Sequence, residues 1–129
     1  MVRALLSVTG ACEAAIGLTL IVAPSMVASL LLGVPLDTPA GLTVARVAGS
    51  ALLALGLVCW LARDDGQSSA TRGLIAAILL YNVAVIAVLA HARFGLELSG
   101  IGFWPTVLIH TALAVWCVAS RPTAGRTGV

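Results

Sequence analysis

Four apolar stretches, each about the length needed to cross a bilayer, succeed one another along the chain, and each is interrupted by a polar or ionisable side chain. The interruptions are Glu13 in the first, Arg46 and Ser50 in the second, Asn82 in the third and His110 in the fourth. The first stretch, about 5–23, stops at Pro24, whose missing N–H and ring clash oppose a straight continuation. A signal peptide is the obvious rival for such an N-terminus, but Glu13 falls inside its apolar core, so a retained helix is expected. The apolar run from Ser25 to Gly33 is too short to cross; it is expected to lie along the interface or to continue the first helix past a kink.

The second span, about 39–62, opens on Asp37-Thr38-Pro39, where Thr38 or Asp37 can cap the free N–H groups and proline suits the first helical position. The polar loop Arg63 to Ser69 separates it from the third span, about 73–92. A glycine-bearing loop from Arg93 to Gly102 then leads to the fourth, about 103–119, where Pro105 falls in the first turn. The tail 121–129 carries no apolar pattern and is expected to be disordered. The pattern predicts an all-α polytopic membrane protein: one domain, 1–120, forming an antiparallel four-helix transmembrane bundle with a short interfacial helix after the first span.

Composition sharpens this. Hydrophobic residues make up 60% of the chain and charged residues 9%, and the mean hydropathy is +1.12, outside the range of soluble domains. Seven basic residues, all arginine, against five acids are too few to build a phosphate-binding surface, so nucleic acid is excluded as a partner. Arg3, Arg63, Arg72, Arg121 and Arg126 fall on the side of both termini and the middle loop, whereas Arg93 and, further in, Arg46 belong to the other. The positive-inside rule then puts both termini in the cytoplasm of a multi-pass cell-membrane protein, in bacterial terms the inner membrane. Trp60 and Trp116 on that side, and Phe103 and Trp104 on the other, fit interfacial aromatic belts. Small residues at helical spacing, Gly10 with Gly17 and Ala45 with Gly49 and Gly56, would let backbones approach closely, and packing is their stronger reading.

A charge at a helix centre opposes insertion by roughly 2.5 to 3.5 kcal/mol, so the interrupting residues need partners or a purpose. Glu13, Asn82 and His110 are central in their spans, and antiparallel packing would bring them to one depth, with Arg46 reaching towards it. One reading is structural: a buried Glu13–Arg46 ion pair, with Asn82 and His110 completing hydrogen bonds. The other makes Glu13, Arg46, Ser50, Asn82 and His110 the lining of a site for a hydrophobic ligand with a polar head, a lipid, quinone or terpenoid. There, the protonation state of Glu13 turns on how near the arginine comes. The chief rival from another class is an intramembrane isomerase or cyclase with Glu13 as general acid and His110 assisting; a proton-coupled small exporter is a third.

No metal is expected, because His91 and His110 lie at different depths and no HxxxH or CxxC spacing occurs. No cofactor can be named. Cys12 is expected to be buried in mid-span, with Cys59 and Cys117 near the cytoplasmic end, where reduction is expected. Tyr81 shares a helix face with His91 and is equally well an ordinary packing aromatic. The partners expected are membrane lipid or a hydrophobic small molecule, and a second copy or a larger membrane complex.

The stretches Glu13-Ala14-Ala15-Ile16-Gly17, Ala23-Pro24-Ser25 and Ala45-Arg46-Val47-Ala48-Gly49, with the four-span layout, resemble the DoxX-like superfamily and its neighbouring four-helix bacterial membrane families. That resemblance implies an accessory membrane subunit with a lipid or quinone ligand, and it carries over no catalytic residue. Ala11-Cys12-Glu13 is similar in position to the proton-binding glutamate of the small multidrug resistance exporters, although their lysine and aromatic pattern is missing.

Overall fold

A computed structural model describes residues 1–66 and 68–120; the tail 121–129, with Arg121 and Arg126, lies outside the described residues. The described residues form α-helices and no strand: α1 (Val2–Val22), α2 (Pro24–Leu32), α3 (Pro39–Ala62), α4 (Ser69–Gly95) and α5 (Phe103–Ala119). Of these, α1, α3 and α4 are long and apolar enough to cross a membrane. The 17 residues of α5 are as apolar but reach only about 25 Å at about 1.5 Å per residue, less than a hydrocarbon core of about 30 Å.

The helix ends follow local chemistry. At Ala23 the backbone leaves the helical region (φ −134°, ψ 59°), and Pro24, which has no N–H to give, opens α2 as a separate helix. Gly33 ends α2 at φ 79°, a left-handed position that suits glycine. Thr38 accepts from Gly41 N at 3.1 Å and caps α3, and Pro39 takes its first position. The start of α4 lies at Ser69, ahead of the expected 73, because the Ser68 hydroxyl accepts from Thr71 N at 3.1 Å and makes the polar segment a helical first turn.

α1 and α3 run antiparallel in the most extensive contact between two helices. A Cβ added to Gly56 would come within 2.8 Å of Gly10 O, and one added to Gly49 within 2.7 Å of Gly17 O, so backbone meets backbone where the glycines stand opposite one another. α4 and α5, joined by residues 96–102, pack as a second pair. The two pairs meet at the end that holds the N-terminus and the α3–α4 loop, where Leu5, Leu6, Cys59, Ile78, Leu113 and Cys117 form a closed apolar core. Arg3 pairs there with Asp64 at 3.1 Å. At the opposite end the 96–102 loop grips α2: Gly100 N donates to Leu31 O at 3.0 Å and Gly102 N to Leu30 O at 2.7 Å, satisfying carbonyls that the end of α2 leaves free. Phe103, expected in a lipid-facing belt, is instead buried, with Trp104 exposed at its edge (ring centroids 5.3 Å apart).

Candidate functional site

Between the closed end and the gripped end, half-open cavities enter the bundle, and the polar residues sit where they begin. Glu13 of α1 is 4% exposed, and the Tyr81 hydroxyl of α4 donates to its Oε2 at 3.3 Å. Asn82, the next residue of α4, is completely buried and turns to α5 instead. Its Nδ2 donates to Ile78 O at 2.8 Å and its Oδ1 meets His110 Nδ1 at 2.7 Å. A backbone carbonyl only accepts, so the atom facing Ile78 must be the amide nitrogen, and the oxygen facing His110 must receive a hydrogen from Nδ1. The imidazole thus carries its hydrogen on Nδ1, and in the neutral ring Nε2 is left as a lone pair. The Tyr81 and His110 rings stand edge to face, centroids 5.7 Å apart, which ties the two hydrogen-bonded pairs into one group.

Two cavities open from this group. One, of about 300 Å³, lies between α1 and α5 beside Glu13 and Cys12. The other, of about 370 Å³, extends beneath α2 among Leu20, Met26, Leu30, Leu52 and Val85. Ile16, Thr19, Tyr81, Thr106 and His110 line both, so the spaces adjoin along a wall with a polar strip. Cys12, expected to be buried, is exposed at the first of them. Thr9, one turn before Glu13, is fully buried and its hydroxyl oxygen has no hydrogen-bond partner.

Arg46 and Ser50 do not join the group. The register that sets Gly49 against Gly17 places Arg46 beside the end of α1, where its Nε donates to Ile21 O at 3.2 Å. Ile21 is roughly 12 Å along the helix axis from Glu13, at about 1.5 Å per residue, so the expected Glu13–Arg46 ion pair does not form. Among the described residues the ion pairs are Arg3–Asp64 and Arg63–Asp64. The break at Pro24 frees carbonyls at the end of α1, and the arginine caps one of them. Ser50 donates to Arg46 O at 3.0 Å and lines a depression of about 510 Å³ on the outer side of the α1–α3 pair. That depression, walled by Gly10, Ala14, Leu53 and Trp60, is larger than either inner cavity but has no ionisable side chain, so the chemistry lies elsewhere.

The structure brings together Glu13, Asn82 and His110 of the predicted residues and adds Tyr81, Thr19 and Thr106. Tyr81 and Asn82 are neighbours in sequence and point about 100° apart on a helix, so periodicity alone does not have both facing inward. Both are engaged because α4 reaches α1 with one and α5 with the other. Thr106 precedes His110 by one turn and is legible as part of its face; Thr19 carries no signal beyond a hydroxyl in an apolar run. Among the described residues no three of His, Cys, Asp and Glu gather in a group able to hold a metal ion. Comparisons of the chain with protein-family models, with curated proteins and with solved structures find no match.

Proposed function

We propose that this chain is a four-span antiparallel membrane bundle, with α2 lying along the interface, that binds a hydrophobic ligand by a polar head. The head sits against Glu13, Tyr81 and His110, and the apolar tail fills the space beneath α2. The carrying observation is the pair of adjoining cavities, apolar over most of their walls, that share the Tyr81 and His110 edge. Spaces of this size with a few convergent polar groups are typical of small-molecule sites. Inner-membrane placement with both termini in the cytoplasm is supported by Arg3, Arg63 and Arg72, which belong to the end where Arg3 meets Asp64. A lipid, quinone or terpenoid fits the cavity, in keeping with the DoxX-like resemblance.

Native mass spectrometry of the protein extracted in mild detergent tests this reading. The parent is expected to retain an apolar small molecule that Tyr81→Phe and His110→Leu release while remaining helical. A parent that carries nothing and takes up no polyisoprenoid or quinone probe would end the proposal.

Acid–base catalysis on such a ligand is the second reading, and the Asn82-held imidazole facing the same cavity as a carboxyl group favours it. In that case Glu13→Gln abolishes turnover of the bound molecule but keeps its binding, whereas a pure binding site loses a modest amount of affinity and has no turnover to lose.

A further inference from the structure

The polar atoms that line the two cavities have already given away their hydrogens. The Tyr81 hydroxyl donates to Glu13 Oε2, the Thr19 hydroxyl to Ala15 O at 2.8 Å, the Thr106 hydroxyl to Gly102 O at 2.8 Å, and His110 Nδ1–H to Asn82 Oδ1. Met26 offers a thioether, and Cys12 only a weakly donating thiol. What these lining side chains have left to offer is therefore lone pairs: His110 Nε2, the hydroxyl oxygens of Thr19, Thr106 and Tyr81, and, beside the first cavity, the carboxyl group of Glu13. Glu13 presents acceptors alone when ionised and gains a single O–H when protonated, so acceptors are in the majority either way.

We infer that the site selects ligands whose head donates hydrogen bonds, a hydroxyl or a protonated amine on an apolar chain, over ethers, esters and quinone carbonyls of the same shape. The inference rests on the ligand-binding reading and narrows it to a chemical class. An acceptor-only head loses its water on entry and finds in exchange at most the O–H of a protonated Glu13 and the weak Cys12 thiol, while most of the protein's own lone pairs stay unpaired. A hydroxyl pairs at once with Nε2 or the carboxyl group. An ammonium does so with more hydrogens and brings a positive charge to Glu13, which has no cation beside it among the described residues. Alcohol and amine are two sources of one chemistry. A site built to hydrogen-bond a donor rejects the analogue that lacks it far more strongly than an apolar wall rejects a change of one methylene.

The test uses the full chain in detergent and three probes with the same tail: farnesol, farnesylamine and farnesyl methyl ether, titrated by calorimetry. At least one of the two donors is expected to bind about tenfold or more tightly than the ether. If only farnesylamine does so, the source is a lipophilic cation; if farnesol matches or exceeds it, the source is an alcohol. In Glu13→Gln the side chain brings its own N–H donors to the cavity, so the donor-to-ether ratio is expected to fall several-fold, with circular dichroism confirming that the variant is folded. Equal binding of all three probes to the parent overturns the donor rule but leaves a ligand site standing; no binding of any overturns both. A ¹⁵N spectrum placing the His110 hydrogen on Nε2 would overturn the donor rule independently of any variant.

Discussion

Asn82 sets the chemistry of the cavity without lining it. Its amide is held between the Ile78 carbonyl and the His110 ring, and that alone decides which imidazole nitrogen keeps a lone pair. Asn82→Leu, close in volume, leaves the His110 Nδ1–H buried with no acceptor and should cost about 1 to 3 kcal/mol of stability in denaturation from detergent micelles. Adding His110→Phe removes the stranded donor, so the double variant should recover part of that loss, a coupling that a thermodynamic cycle measures. Arg46 is the opposite case. Its side chain caps Ile21 O from an exposed position, so Arg46→Gln should lower stability by only about 0.5 kcal/mol and leave probe affinity unchanged. A loss of probe binding in that variant would restore the arginine to the site. The sequence shows that Arg46 is polar and where it stands along its helix; it does not show that the helix packs chiefly on α1 and turns the residue outward.

At the level of the elements, hydropathy and breakers locate the helices to within a few residues, because span length, Pro24, Thr38 and Pro39 act through local physics. Contacts between helices are set by register, which hydropathy does not encode, though the glycine spacing comes close. Gly10 and Gly17 of α1 meet Gly56 and Gly49 of α3 across backbones already at contact distance. Gly56→Ala would put a methyl group 2.7 Å from Ala14 N, so the helices must separate, at roughly 1 to 3 kcal/mol. Gly73, also helical, has nothing within 4 Å of the place a methyl group would take, and Gly73→Ala should be neutral or stabilising by up to about 1 kcal/mol. Steric-trapping measurements should therefore show destabilisation in Gly56→Ala and none in Gly73→Ala; equal effects would mean that the glycine contact does not hold the pair together.

For the whole molecule, one end is closed by side chains and the other by backbone hydrogen bonds, and the hollow part adjoins the second. Cysteines placed at Gly66 and at Ser99 should react with a membrane-impermeant thiol reagent from opposite sides of sealed vesicles, Gly66 from the cytoplasmic one. Labelling of both from one side would break the proposed four-span arrangement. The hollow is the least legible feature of the chain, because a cavity is missing volume and depends on how α2 is set over α5, which no single helix pattern encodes. The grip of Gly100 and Gly102 on Leu30 and Leu31 has a practical consequence for anyone who modifies this protein. An epitope spliced in after Gly66, a left-handed glycine with open space where a Cβ would stand, lengthens an exposed turn and should be accepted. The same epitope spliced in after Gly100 would prise the 96–102 loop off α2, and expression should collapse with it.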